Sequence, residues 1–282
     1  MSQAQLMDGT GLARRIVDET AKRAADLTER TGVAPCLATV LVGEDPASVT
    51  YVRMKQNRSR KAGIESRHVA LDAGTTTDEL IGTLTELSAD PTVHGILLQH
   101  PMGHHIDERT AFEAIAPEKD VDGVTLASFS AMSFGLPGFA SCTPGGIMRL
   151  LDEYDVDPAG KRAVVVGRSA ILGKPVGMLL LGRDATVTYC HSRTADLSAV
   201  VRDADIVVAA VGRPRLIRGE DIKPGAVVVD AGYNPGNIGD VDFDSARERA
   251  SLITPVPGGV GPMTIATLLA QTVEAATRQA GA

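Results

Sequence analysis

Apolar positions along this chain follow two alternating rhythms. Over residues 11–30, Leu12, Ile16, Ala24 and Leu27 fall at near-helical spacing with charges between them, which predicts an amphipathic helix. Cys36 through Val42 is a short apolar run broken only by Thr39 and closed by Gly43, which predicts a buried strand. Residues 46–63 read as a helix that starts at Pro46 and stops at Gly63. A strand near 66–71, a helix near 77–89 and a strand at 94–99 follow. Residues 100–145 break the rhythm with Pro101, Pro117, Pro137 and Pro144 among many Gly and Ser, so the domain junction is placed there. A helix near 144–154 opens the second half, and a strand at 162–167 runs into a glycine turn. Short β-branched runs at 185–190, 205–211 and 226–231 predict further strands of a parallel sheet covered on both faces. The last helix spans about 262–279. The expected fold class is α/β with two domains, residues 1–140 and 141–263, with a C-terminal helix over 264–282 returning to the first.

Composition narrows the function. The length of 282 residues suits two domains. Hydrophobic residues are 44% and the net charge is 28 − 35 = −7, which excludes a disordered chain and argues against a nucleic-acid binder. No apolar run approaches the roughly 20 residues of a membrane-spanning helix. The N-terminal residues lack the apolar core of a secretory signal. Cys36, Cys142 and Cys190 are odd in number and share no CxxC spacing, which fits a reducing cytoplasm and neither a disulfide framework nor a cysteine zinc site. Aromatics are only 3%, too few for a base-stacking surface.

Six stretches carry candidate chemistry. Gly167-Arg168-Ser169 to Gly173 joins a strand to a helix, where exposed N–H groups and the helix dipole favour a phosphate. The spacing departs from GxGxxG, and an ordinary tight βα turn has the same glycines. Cys190-His-Ser192-Arg193-Thr194 lies after the next strand, where a dinucleotide fold reads the adenosine ribose. It offers Ser192 and Arg193 and no carboxylate until Asp196, which favours NADP, although a solvated loop would look alike. Tyr51 and Lys55 are four apart on one helix face, where a partly desolvated Lys can move a proton; many solvated faces carry such pairs. Gln99 leaves a buried strand and aims a neutral amide outward, as a plain strand cap also does. In Lys119-Asp-Val-Asp122-Gly123, Asp120 and Asp122 lack a third metal ligand at usable spacing. Pro255 to Thr264 is a stiff Pro/Gly loop that can approach a ligand closely, with Pro262 opening a helix. His100, His104 and His105 sit in a Pro/Gly loop and read as polar loop rather than zinc site. No GxSxG, HExxH or Walker A pattern occurs.

Taken in order, YVxxK at Tyr51–Lys55, Gln99-His-Pro, KDVDG, CTPxGI at Cys142–Ile147, GRSxxxGxP, CHSRT and ITPVPGGVGPMT at Ile253–Thr264 resemble the bifunctional methylenetetrahydrofolate dehydrogenase/methenyltetrahydrofolate cyclohydrolase family. The motifs run from about residue 40 to 270, and PVPGGVGPMT with KDVDG is highly specific. The resemblance implies an N-terminal α/β folate domain, a C-terminal Rossmann-like NADP domain, a homodimer and two reactions on tetrahydrofolate derivatives. It implies that Lys55 transfers the proton in hydrolysis, that Gln99 orients Lys55, that Tyr51 positions the folate and that Asp122 receives the pterin N–H donors. It assigns Gly167, Arg168, Ser169, Ser192 and Arg193 to NADP, with Thr143, Thr264 and Tyr233 near the cofactor and Pro262 near the folate.

The chain departs from the family pattern at several places. Ser128 and Ser130 replace an Asn and a Gly, Ala170 stands for Asn in GRSN, His100 for Leu in QLP, and Gly145 for Arg in CTPRGI. Tyr233 replaces a small aliphatic residue. These departures define two rival readings. One is an NADP-linked oxidoreductase acting on another substrate, and the other is a non-catalytic NADP- or folate-binding protein.

Overall fold

A computed structural model describes residues 3–43 and 55–281. After a two-residue strand β1 (Gln5–Leu6), the chain forms α1 (Gly9–Thr31), β2 (Cys36–Val42), a helix α2 over 55–61, β3 (Glu65–Leu71), α3 (Thr77–Ala89) and β4 (Gly95–Leu98). Short helices α4 (Glu108–Glu113) and α5 (Leu126–Phe134) follow. The second half runs α6 (Cys142–Glu153), β5 (Arg162–Val166), α7 (Gly173–Leu181), β6 (Thr186–Cys190), α8 (Leu197–Arg202), β7 (Ile206–Ala209), β8 (Val227–Asp230), α9 (Phe243–Arg247), β9 (Leu252–Ile253) and α10 (Val260–Gln279).

The chain divides into two compact units. One comprises Arg15–Ala131, Pro137–Ala140 and Thr267–Ala282; the other Met1–Arg14, Met132–Leu136 and Ser141–Ala266. Residues 1–14 group with the unit of the second half because backbone N–H groups of Ala4, Gln5 and Met7 donate to the carbonyls of Arg247, Ser251 and Ile253.

In the first unit the described residues form a parallel sheet in the order β3-β2-β4. Every residue of β2 is buried, as its nearly continuous apolar run requires of a central strand. Helix α1 buries Ala24 and Leu27 in this unit, while its charged positions face water. Helix α3 begins in a capping box, Thr76 with Glu79, and buries Leu80, Leu84 and Leu87. Lys119 is buried, with Nζ donating to the carbonyl of Asp90 at 2.6 Å.

In the second unit six parallel strands among the described residues run β1-β9-β8-β7-β5-β6. The chain enters at β5, steps to β6 on one side, then crosses to β7 on the other. That reversal leaves a crevice at the carboxyl ends of β5 and β7, where open α/β sheets take ligands. Val164, Val166, Val207, Val228 and Ile253 form its core.

The expectation of a sheet covered on both faces fails at β6, where only Cys190 is buried. Thr186 and Thr188 tolerate solvent at an edge, and the run of β-branched residues does not reveal that. The junction over 100–145 is less irregular than its Pro and Gly content suggests. Asp107 caps α4 through the N–H of Thr110, and α5 follows a turn held by Asp120. The helix expected over 46–63 is described only from residue 55, so Tyr51 lies outside the described residues.

Candidate active site

The first unit brings Lys55 and Gln99 together. Gln99 follows directly on β4, its backbone N–H still donating to Val40 O at 2.9 Å, so the ladder holds the residue as the chain leaves the sheet. Lys55 begins the described turns of α2, and Ser59 Oγ donates back to its carbonyl one turn on. Both side chains are half-buried, and Lys55 Nζ donates to Gln99 Oε1 at 2.9 Å. Gln99 Nε2 in turn donates to the carbonyl of His100 at 2.8 Å, which fixes which end of the amide faces Lys55.

Asp122 is half-buried in the turn after the Pro117–Lys119 helical turn. Its neighbour Asp120 shapes that turn. Wholly buried, Asp120 accepts from the N–H groups of Val124 and Thr125 and from the hydroxyls of Thr125 and Ser128, the last at 2.6 Å. The two carboxylates therefore differ in task, and the described residues hold no cluster of ligands fit for a metal ion. Ser128, one of the departures from the family pattern, is a buried member of this network. From α10, Gln271 Nε2 donates to Val121 O at 2.7 Å and Ala140 O at 3.1 Å, pinning the residue just before Asp122. Periodicity placed Gln271 on a helix without a role; a polar residue on an otherwise buried helical stripe was the available signal.

The second unit presents the glycine turn. Gly167 has φ of +136°, and a Cβ there would run into the carbonyl oxygen of Ala210, so only glycine fits. Gly173 packs on Gly167 equally closely. Ser169 Oγ accepts from Gly173 N at 3.2 Å as α7 begins. Arg168, Ser169 and Ala170 are exposed at the carboxyl end of β5. After β6, His191 N donates to Thr194 Oγ1 and Arg193 N to His191 Nδ1, a tight turn that displays Ser192 and Arg193 to solvent. A helix N-terminus, a turn bounded by glycines and exposed hydroxyl and guanidinium groups suit a dinucleotide carrying an extra phosphate.

Thr143 and Thr264 stand with their hydroxyls 2.9 Å apart, on α6 and α10 of this unit. Pro262 occupies the first turn of α10, where a missing N–H costs nothing. Tyr233 is exposed after β8, its hydroxyl donating to Asn237 Oδ1 at 2.9 Å. Two wholly buried carboxylates, Asp230 and Asp240, support the loops beyond β7 and β8. Burial pushes the Asp230 carboxyl up to about 6 against the pull of its backbone N–H donors. The sequence reading assigned neither; an Asp ending a buried strand was the only cue.

Fold and half-sites define a two-unit α/β enzyme class with a dinucleotide sheet and a Lys–amide centre. Comparison makes this particular. Residues 7–122 match the tetrahydrofolate dehydrogenase/cyclohydrolase catalytic domain, and 141–280 match the NAD(P)-binding domain of the same family. The bifunctional protein FolD 1 of Streptomyces avermitilis is 80% identical over 99% of this chain and 97% of its own. A crystal structure of the bifunctional methylenetetrahydrofolate dehydrogenase/cyclohydrolase FolD from Campylobacter jejuni is 43% identical. It superposes with a TM-score of 0.95 over 98% of this chain and 99% of that one. A Trypanosoma brucei counterpart, described as complexed with NADP cofactor and inhibitor, is 39% identical with a TM-score of 0.96, covering 100% of both chains. The chain belongs to the tetrahydrofolate dehydrogenase/cyclohydrolase family. It is an enzyme of one-carbon metabolism that joins the dehydrogenase and cyclohydrolase activities in one polypeptide. No helix among the described residues is long and apolar enough to cross a membrane.

Proposed function

We propose that this chain oxidises 5,10-methylenetetrahydrofolate with NADP+ and hydrolyses the methenyl product to 10-formyltetrahydrofolate through one centre built on Lys55. The supporting observation is the 2.9 Å bond from Lys55 Nζ to Gln99 Oε1.

NADP+, when bound, supplies the hydride acceptor. Loss of hydride leaves an amidinium-like cation stabilised by the substrate's own nitrogens, so the protein's task in that step is positioning. Asp122 accepts from the pterin N–H donors, and Tyr51 and Pro262 position the folate. Hydrolysis needs more. Water adds to the methenyl carbon and gives up one proton. As the C–N bond breaks, the remaining hydroxyl proton leaves the new formyl oxygen and the ring nitrogen gains one, so one proton is released overall. Lys55 moves this proton. Its amide partner orients Nζ through a neutral hydrogen bond at 2.9 Å. The His100 carbonyl fixes the Gln99 amide and so completes the orientation of Lys55.

On the cofactor side, Gly167, Arg168 and Ser169 hold the pyrophosphate, and Ser192 and Arg193 hold the 2′-phosphate. Thr143, Thr264 and Tyr233 line the remainder. NADP is preferred because the turn after β6 offers a hydroxyl and a guanidinium where NAD enzymes place an acid. We take the folate domain to be residues 1–140 with the helix over 264–282, and the NADP domain to be 141–263. The working form is a cytoplasmic homodimer, which sedimentation of the purified protein tests.

The deciding experiment is an absorbance assay with methylenetetrahydrofolate and either NADP+ or NAD+. NADPH should appear without accumulation of the methenyl product. Accumulation would refute the hydrolytic role, and absence of turnover with both cofactors would refute the reading. A lower dissociation constant for NAD+ than for NADP+ would overturn the cofactor preference.

A further inference from the structure

Asp240 is wholly buried, yet the proposed chemistry leaves it unused. Its Oδ2 accepts from the N–H groups of Val211 at 2.6 Å and Gly212 at 2.9 Å, and its Oδ1 from Arg213 N at 2.8 Å and Asn234 Nδ2 at 3.1 Å. Asp230, the last residue of β8, accepts from Gly232, Asp240 and Val241 N–H groups. One carboxylate thus holds the backbone of the other, and the second gathers three successive amides of the loop beyond β7. Side-chain-free neighbours make room for both: a Cβ at Gly232 would strike the Asp240 carboxylate, and one at Gly239 would strike that of Asp230.

Burying two carboxylates is costly, and apolar residues would fill the same volume at less expense. What apolar residues lack is the ability to accept seven donors from two loops at once. The placement of these loops shows what that achieves. Ala210 O lies against Gly167, so the segment Ala210–Arg213 forms the wall facing the phosphate turn at the switch point of the sheet. Asn234, bonded to Asp240, belongs to the loop that displays Tyr233.

We propose that Asp240 is a positioning residue for the dinucleotide, setting the width of the cofactor crevice through residues 211–213 and Asn234, and takes no part in hydrolysis. The inference rests on the cofactor reading above. In Asp240→Asn one oxygen becomes an NH2 donor facing N–H groups, so at least one buried amide loses its acceptor.

The test compares wild type and Asp240→Asn by calorimetric titration with NADP+, dehydrogenase kinetics, and hydrolysis of methenyltetrahydrofolate without cofactor. The Kd and KM for NADP+ should rise about tenfold, with kcat and cofactor-free hydrolysis held within about twofold. Unchanged Kd overturns the inference. Should Asp240→Asn lose hydrolysis as well, Asn234→Ala decides. It removes one of the four donors to Asp240, together with the Nδ2 bond to the Ile238 carbonyl, and should raise Kd about threefold with hydrolysis intact. Parallel loss of binding and hydrolysis in Asn234→Ala would make the network merely structural. A wild type that binds no NADP+ would instead overturn the cofactor reading itself, and this inference with it.

Discussion

Lys55→Met should separate the two activities. Methionine keeps the length and apolar stem of the half-buried side chain and removes only the amine. Gln99 loses one bond, at 2.9 Å, and retains its 2.8 Å bond to the His100 carbonyl. Loss of that bond costs about 1 kcal/mol, small enough for the variant to fold. The kinetic cost is larger. A positioned acid–base group is worth about 10²–10⁴ in rate, or about 2.7–5.4 kcal/mol at 1.36 kcal/mol per tenfold. Hydrolysis of methenyltetrahydrofolate, followed by loss of its absorbance, should fall by that factor. NADPH formation from methylenetetrahydrofolate should stay within about an order of magnitude of wild type, because that step needs positioning more than proton transfer. Methenyl product should then accumulate. Lys55→Arg keeps the charge but cannot release its proton, so it should hydrolyse as poorly as Lys55→Met. Equal loss of both activities in Lys55→Met, or recovery of hydrolysis in Lys55→Arg, would refute the proton-transfer role.

Three further outcomes follow from the geometry. Gln271→Leu strips the carbonyls of Val121 and Ala140 of a donor, so it should cost about 2 kcal/mol in thermal unfolding and raise the folate KM through Asp122; an unchanged KM would show that Asp122 is held by other means. Gly167→Ala forces a side chain at φ +136° into the Ala210 carbonyl, and should cost about 2–4 kcal/mol and abolish NADP+ binding; wild-type affinity by calorimetry would contradict this. The Thr92 hydroxyl and N–H, then Arg67, hold the Asp90 carboxyl down to about 2, below its unfolded value of about 4. A depressed folded value stabilises the fold above about pH 4, and that contribution is lost as pH falls toward 2. Acid unfolding of Asp90→Asn should be flatter in that window, and an Asp90 carboxyl titrating near 4 by NMR would exclude the effect.

The elements and the motif residues were legible in the sequence because each depends on local rules. The run Cys36–Val42 predicted a buried strand and forms one, at the centre of its sheet, since seven residues with scarcely a polar group have nowhere else to go. Gly167 and Gly173 announced a strand-to-helix turn because their backbone approach admits no side chain. Lys55, Gln99 and Asp122 were named from motifs, yet nothing local dictates that an amine and an amide 44 residues apart meet at 2.9 Å. That meeting is made by parallel strands, which bring the ends of distant segments to one edge. The same holds for the inward carboxylates. Asp120 and Asp122 read alike in KDVDG, and burial alone turned Asp120 into a scaffold for four donors. Asp240 carries no periodic signature, and Gln271 is only a polar break in a buried helical stripe, for a lone polar residue gains meaning only from the backbone groups packed against it. Exposure of β6 was likewise decided by strand order, which no hydrophobic pattern encodes. The sequence determined the longer helices and central strands, and it named the residues proposed to bear the chemistry. The tertiary structure determined which of those residues meet and which carboxylates are spent on holding loops, because hydrogen bonds across long sequence separations exist only once the chain has folded.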